Sequence, residues 1–398
     1  METLKVKVIH IITKLELGGA QQTTLYTLAN LDQSHFIPVL ICGPDGILLS
    51  DAYKIPKLRI HICNHLIRPV APVHDCTALI ILWRILRKER AAHKGMVIVH
   101  THSSKAGILG RWAAFLAGIP IRIHTVHGFG ITPDQPFFMR WIFTLAERLT
   151  RPITTRMIYV SRKNLEQGTH LGISEPRNSL IIRSGIDRAS FSEARNDGSS
   201  VKDALQIPGE SKVIGMIACF KPQKAPLDFI RMAHLVSLKL PGTHFLLVGD
   251  GVLRGSIERM IKELGIQKNV HLTGWRRDIP RLLSVMDIMA LTSLWEGLPK
   301  VVVEALLMGI PVVATQTAGV DEVIRDGITG FIVPQSRPDI MATRIIEMLE
   351  NPEKMRRMEK ASPSLSDEFN LDKTVLIQEV LYQDLIKDTK FRNNKFLI

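Results

Sequence analysis

Residues 293–315 read SLWEGLPKVVVEALLMGIPVVAT. A Gly-Leu-Pro break precedes an apolar run of helical period, Gly309 and Pro311 close that run, and IPVVAT follows as a strand. A strand that is apolar throughout, rather than at alternate positions, belongs to a parallel sheet covered on both faces. The same grammar recurs along the chain. Strands are predicted at 5–12, 36–42, 96–100, 121–126, 156–160 and 179–183, and again at 213–219, 244–250, 269–274, 287–292, 310–315 and 330–333, with helical patterns between most of them. The fold class this predicts is α/β: two Rossmann-like, doubly wound parallel-sheet domains facing a central cleft.

A chain of 398 residues is too long for one ordinary core, which agrees with two domains. The polar stretch 190–212, containing Asn-Asp-Gly-Ser-Ser, separates the two sets of strands. The expected division is a domain over 1–190, a linker over 191–211 and a second domain over 212–370. A helix over 371–389 then packs back on the first domain. Four scattered cysteines make neither a zinc motif nor a disulfide framework and suit a reducing compartment. METLKVKVIHIIT reads as a first strand, not as a signal peptide, and no apolar run has the length of a membrane span. A cytoplasmic chain is expected. Its charge is uneven: the net is +13, and residues 1–200 hold 25 Lys and Arg against 14 Asp and Glu, whereas residues 201–398 hold 26 against 24. The first half therefore faces something anionic, be it nucleic acid, an anionic membrane or a phosphorylated substrate.

Glu296 and Glu304 stand eight positions apart around the Gly-Leu-Pro break. With Pro299 as the first helical residue, Glu304 lies about 7 Å along the helix. The backbone N–H groups of Gly297, Leu298 and Lys300 around Pro299 form an anion site. A diphosphate seated there places hydroxyl-rich groups near both carboxylates, which accept hydroxyl donors well. By spacing alone, Glu296 can equally be a solvated loop acid and Glu304 the partner of a neighbouring Lys or Arg. Gly18 and Gly19 follow the first strand and open a helix, a place where backbone approaches phosphate closely. His127, just before Gly128, can donate, accept or shuttle a proton, whereas His100, His102 and His124 read more simply as satisfied polar groups at strand ends. Lys224 follows the first strand of the second half, where a cation can neutralise a diphosphate. Asp278 lies in the turn WRRDI. GDGVLRG (249–255) misses the dinucleotide fingerprint by one residue, no phosphate loop of the Gly-Lys-Ser/Thr type occurs, and no Asp-x-Asp metal motif occurs.

The run EGLPKVVVEALLMGIPVVAT, followed by AGVDEVIRDGITGFIV, resembles the C-terminal signature of family-4 retaining glycosyltransferases of GT-B fold, whose hallmark is Glu-x7-Glu. The resemblance extends over nearly the whole chain in order: LELGGAQQTTLYTLANL, VHTHSSKAGILGRWAAFLAGIP, IHTVHGFG, IYVSRKNLEQG, RSGIDRASF, PQKAPLDFI, LLVGDGVLRGSIE and LTGWRRDIPRLL. It implies that Glu304 binds the nucleotide ribose, Glu296 the transferred sugar and His127 the donor sugar. It also implies that Lys224 holds the diphosphate, that Asp278 lies by the nucleobase, and that the Gly18-Gly19 loop lies against donor phosphates and acceptor. The family usually carries an Arg five positions before the lysine. Here that place holds Cys219, and Lys221 offers only a point charge in exchange for a bidentate fork.

The activity implied is a retaining, metal-independent transfer of a sugar from a nucleotide-diphosphate-sugar, UDP- or GDP-linked, to a glycan, lipid-linked in relatives that build bacterial capsule, exopolysaccharide or lipopolysaccharide. No further cofactor and no specific nucleic acid are expected. Residues 135–151 and 79–94 are amphipathic and basic. They read either as helices packed on a sheet or as a peripheral contact with an anionic membrane, the inner face of the cell membrane for a cytoplasmic chain. The competing readings are an epimerase or phosphorylase on the same scaffold, a nicotinamide dehydrogenase, and a non-catalytic basic module binding membrane or nucleic acid. The Glu pair, the broken fingerprint and the ambiguity of charge alone count against them in turn.

Overall fold

The structure, a computed structural model, describes residues 4–130, 135–193 and 198–395, the side chains of 192, 364–367 and 390–395 excepted. The chain divides into one compact unit of residues 1–185 with 371–398 and a second of residues 186–370.

In the first unit, strands β1 (Val6–Ile12), β2 (Phe36–Cys42), β3 (Arg59–Ile62), β4 (Val97–His102), β5 (Ile121–Val126), β6 (Arg156–Tyr159) and β7 (Ser179–Ile181) form one sheet in the order β3-β2-β1-β4-β5-β6-β7. Every pairing is parallel, with Lys7 opposite Val97 and His10 opposite His100. Both faces are covered. Helices Pro72–Ala91 and Ser104–Leu116 bury Leu82, Leu86, Ala113 and Ala114 with Ile9 and Ile11 on one side. Tyr382, Leu385 and Ile386 of helix Leu371–Lys395 pack with Val8, Phe36 and Ile98 on the other. The final helix therefore completes the core of the unit that begins the chain. Edge strand β3 was not legible in the sequence, because Arg59 and His61 interrupt its apolar pattern.

The second unit repeats the design. Strands β8 (Val213–Ile217), β9 (His244–Val248), β10 (Val270–Leu272), β11 (Ile288–Leu291), β12 (Val312–Thr315) and β13 (Gly330–Val333) run in the order β10-β9-β8-β11-β12-β13, all parallel. The expected linker of 191–211 differs from what the structure places there. Residues 194–197 lie outside the described residues, but Arg188–Glu193 and Gly198–Ala204 are helical and belong to the second unit. Val201 and Ile207 are buried, and Arg281 reaches Ser200 Oγ at 3.5 Å. Two isolated apolar anchors in a polar stretch are enough to dock it.

Helix Phe137–Thr150 is packed with Glu147 and Thr150 turned inward. Arg111, wholly buried, pairs with Glu147 at 2.6 Å and also donates to Thr154 Oγ1 and Gly107 O, while Trp112 donates to Thr150 Oγ1. Removing one partner of such a pair strands a charge in a low-dielectric core. Glu147→Ala is therefore expected to lower unfolding free energy by about 3–5 kcal/mol, read from urea denaturation. Arg111→Met combined with Glu147→Leu should recover most of it.

Candidate active site

In each sheet the strand order reverses between two central neighbours, β1 and β4 in one unit, β8 and β11 in the other. Loops at the carboxyl ends of strands diverge there and leave room for a ligand. Gly18 and Gly19 follow β1, Lys224 follows β8 and Glu296 follows β11, at these two points, whereas His127 follows β5 and Asp278 lies in the turn after β10.

In the second unit the chain leaves β8, makes a turn at Pro222–Lys224 and enters helix Pro226–Lys239 through Ala225, whose φ of +42° is left-handed. The loop after β11 is stitched to this turn. Leu294 N donates to Gln223 O at 2.8 Å, Gln223 Nε2 donates to Trp295 O at 2.8 Å, and Thr292 Oγ1 lies 2.8 Å from Lys224 O. The stitching brings Lys224 Nζ into an ion pair with Glu296 Oε1, which also accepts from Ser293 Oγ at 2.6 Å. Both members of the pair are largely buried. Ser293, Thr292 and Gln223 were not singled out from sequence. The signal for Thr292 and Ser293 is a polar side chain immediately after an apolar strand; Gln223 lies in the turn beside Lys224 and carries no such signal.

Helix Lys300–Leu307 begins one residue later than expected, because Pro299 caps it at φ −75° and ψ 91° instead of joining it. Gly297 and Leu298 are held from behind by Gly319 at φ +78°, where a Cβ would stand 2.3 Å from Gly297 O; only glycine lets the two segments close. Glu304 is buried in this short helix, and its nearest cation, Lys300 Nζ, is 4.0 Å away. Burial therefore raises the Glu304 carboxyl above its ordinary value, and Lys300 opposes this only in part. A buried acid with so little compensation is unusual unless a ligand supplies the donors. Asp278 is different. Arg276 grips it through two bonds of 2.7 and 2.5 Å, which holds its carboxyl below the usual range. Its side chain is engaged within its own turn. Cys219 is half-buried beyond the end of β8, in the place where a second phosphate cation was expected.

In the first unit, Gly18 is extended at φ −157° and caps helix Gly19–Asn30, with Gln22 N donating to Gly18 O at 3.0 Å. His127 follows β5 and is joined to His102, the last residue of β4, at 3.0 Å. Both line a small cavity with Thr23, Thr27, Thr125 and Arg183. The Thr23 hydroxyl there is buried without a hydrogen-bond partner, so the cavity is polar and incompletely satisfied. His100, His102 and His124 are buried with hydrogen bonds, as satisfied strand-end groups are. Among the described residues, His10, His100 and His102 are the only group whose ligand atoms lie close enough together to share a metal ion.

Two parallel-sheet units of Rossmann order are the architecture of the GT-B fold, the class the chain shares with its structural neighbours. Comparison with known proteins narrows the class. Residues 199–364 match the family described as glycosyl transferases group 1, and residues 18–181 the glycosyl transferase 4-like domain. Over 385 residues the chain is 30% identical to the Escherichia coli UDP-Gal:alpha-D-GlcNAc-diphosphoundecaprenol alpha-1,3-galactosyltransferase, covering 96% of this chain and 98% of that enzyme. It is also 30% identical over 314 residues to the N-acetyl-alpha-D-glucosaminyl L-malate synthase of Bacillus anthracis, covering 76% and 78% of the two chains. The crystal structure of Anabaena HepE in complex with UDP and glucose superposes with a TM-score of 0.79 at 19% identity, over 95% of this chain and 99% of that one. The chain belongs to the family-4 glycosyltransferases of GT-B fold.

Proposed function

We propose that this glycosyltransferase moves a hexose from a UDP-hexose to the terminal sugar of a lipid-linked, diphosphate-anchored acceptor in the assembly of a surface polysaccharide, with retention at the anomeric carbon and without a metal. The observation that carries the reading is the Lys224–Glu296–Ser293 cluster, set next to a helix that holds the under-compensated Glu304. In this reading Glu304 accepts the ribose hydroxyls of UDP, Gly297, Leu298 and Lys300 around Pro299 meet the diphosphate with backbone N–H groups, and Asp278 borders the base. Lys224 turns from Glu296 to the diphosphate when the donor arrives, which frees Glu296 to accept from hydroxyls of the sugar. Gly18 and Gly19 approach phosphate with backbone, and His127 meets a sugar hydroxyl. As the bond from the anomeric carbon to the diphosphate breaks, negative charge collects on the leaving oxygen, where Lys224 and the helix amino end stabilise it. The acceptor hydroxyl bonds to the same face of the carbon and passes its proton to the departing diphosphate.

The UDP-hexose and the lipid diphosphate are taken from what the Escherichia coli relative is named for, and the Anabaena structure holds UDP. Retention is consistent with the alpha linkage in the relative's name, since UDP-galactose itself carries an α anomeric bond. Calorimetric titration with UDP, GDP and ADP, with and without EDTA, tests the donor half. UDP should bind more tightly than the other two and be indifferent to EDTA. Preference for GDP or ADP, or dependence on a metal, overturns it.

The acceptor half is supported by helix Phe137–Thr150. Its apolar stripe faces outward, with Phe137 80% exposed and Phe138, Trp141, Ile142 and Leu149 exposed beside it, and Arg140 and Arg148 are exposed on the same helix. An aromatic stripe with basic flanks on the more cationic half of the chain suits an anionic bilayer. No helix among the described residues is long and apolar enough to cross a membrane. Helix Pro72–Ala91 plays a lesser part: Leu82 and Leu86 are spent in the core, and its exposed residues include the basic Arg84, Arg87 and Lys88 with the scattered apolar Val73 and Ile80. Phe138→Ser with Trp141→Ser should lower partition onto phosphatidylglycerol vesicles about tenfold or more, since each ring buries roughly 1.5–3 kcal/mol of apolar surface. Thermal stability should be unchanged. Equal sedimentation of both proteins with vesicles contradicts the docking surface.

A further inference from the structure

Four side chains that the transfer reaction does not require form an unbroken line behind His127. His10 on β1 and His100 on β4 are opposite each other in the parallel register, and His102 shares their face two residues on. The hydrogen bonds run from His127 Nε2 to His102 Nδ1 at 3.0 Å, from His102 Nε2 to His10 Nδ1 at 2.9 Å, and from His10 Nε2 to the Tyr382 hydroxyl at 3.3 Å. Tyr382 comes from the last helix of the chain and also meets His100 Nδ1 at 2.7 Å and Gln378 Oε1 at 3.3 Å. His100 Nε2 ends the branch on Thr125 Oγ1 at 2.7 Å.

Burial pushes all four imidazoles far below their ordinary range, His10 to about 3 and His127 to about 4, so each is neutral near pH 7. A neutral imidazole has one N–H and one bare nitrogen, so in a line of them the direction of one bond dictates the next. The Tyr382 hydroxyl has one proton and three partners. If that proton goes to Gln378 or to His100, His10 must donate to the tyrosine oxygen. His10 Nδ1 then accepts from His102, and His102 Nδ1 accepts from His127. Only a proton aimed at His10 reverses the line, and the shorter contact of Tyr382 is with His100.

We propose that Tyr382 is a positioning residue: through His10 and His102 it fixes the proton of His127 on Nε2 and leaves Nδ1 as a bare acceptor for a hydroxyl of the bound sugar. The role of Nδ1 rests on the reading that His127 meets that sugar; the direction of the line does not. Tyr382→Phe would strand the His10 N–H in the core. A buried donor without a partner costs more than a bare acceptor, so the line should reverse and put the His127 proton on Nδ1.

The test is long-range proton–nitrogen NMR of the full chain labelled with 15N-histidine, with His127 assigned through His127→Gln. The wild type should show the Nε2–H tautomer at His127 and Tyr382→Phe a shift to Nδ1–H. The donor KM of Tyr382→Phe should rise about tenfold, the size of one misdirected hydrogen bond, with kcat little changed. His10→Leu, which cuts the line while keeping Tyr382, serves if Tyr382→Phe does not fold and should likewise release the tautomer. An Nδ1–H tautomer in the wild type, or a His127 signal indifferent to these variants, overturns the relay. So does one equivalent of zinc in the purified protein that is lost in His10→Leu, because a metal would occupy the lone pairs the line uses. A released tautomer without any change in KM would keep the relay and remove the sugar contact from His127.

Discussion

Glu304→Gln is expected to weaken UDP binding by one to two orders of magnitude while making the protein more resistant to heat. The two effects have one cause. Glu304 is buried in helix Lys300–Leu307 with Lys300 Nζ 4.0 Å away, so the fold bears the cost of desolvating a carboxylate that it only partly compensates. In the proposed complex, two ribose hydroxyls provide the missing donors. Each hydrogen bond to a charged acceptor contributes about 1.5–3 kcal/mol, and glutamine offers one neutral acceptor and one donor in place of two charged acceptors, so the charge-assisted part of both bonds is lost. The stability change has a definite pH signature. The folded carboxyl is raised above its unfolded value, so the destabilisation is absent below the unfolded value and grows as pH rises through the folded one. Glu304→Gln should therefore melt higher than the wild type at pH 8 and level with it at pH 4, by about 2–4 °C for each kcal/mol in a domain of this size. Differential scanning calorimetry at the two pH values and UDP titration read both halves. Lower melting at pH 8 would mean that Glu304 is held by the protein for its own sake.

The second large effect is expected at Lys224. Lys224→Ala should reduce kcat about 10²–10³-fold, the usual consequence of removing one preorganised charge from a developing oxyanion. The loss should exceed the loss in donor affinity, since charge on the leaving diphosphate grows toward the transition state. Lys224 is set for this by its backbone: Thr292 and Leu294 fix the turn that carries it, and the ion pair to Glu296 holds its ammonium beside the Glu296 carboxylate. The variant also leaves Glu296 with Ser293 as its remaining partner in this cluster. Lys224→Arg should recover part of kcat, because the charge returns while the geometry changes. Unchanged turnover in Lys224→Ala, measured as UDP release in the presence of acceptor, would remove it from the chemistry.

Much of this architecture was legible from hydrophobic grammar alone. Apolar runs such as VKVIHII and DIMALT declare parallel strands because both faces must be covered, and the turn residues around Pro299 and Gly309 mark one helix to within a residue. Polar composition was a poorer guide. It presented 191–211 as a tether although Val201 and Ile207 are buried, and it could not show that the 137–150 helix turns Glu147 inward and its aromatic rings outward. That inversion depends on Arg111, a cation in the middle of a mostly apolar helix whose partner lies 36 residues away. The histidines were equally opaque. Sequence shows them as strand-end polar groups, and only the register that sets His10 beside His100, with a tyrosine from residue 382, joins them into one line. Glu296 and Glu304 were visible by spacing, but their contrasting states, one paired with Lys224 and one nearly uncompensated, required the fold.

The most direct test of the account is transfer itself: incubation of the protein with UDP-galactose, UDP-glucose and GDP-mannose in turn, EDTA present, and a vesicle-bound sugar-diphospho-polyprenol as acceptor. Mass spectrometry would read the product and NMR its anomeric configuration. One UDP-hexose should extend the lipid by a single α-linked sugar with release of UDP. A β-linked product, a requirement for added metal, or transfer from GDP-mannose alone would contradict it.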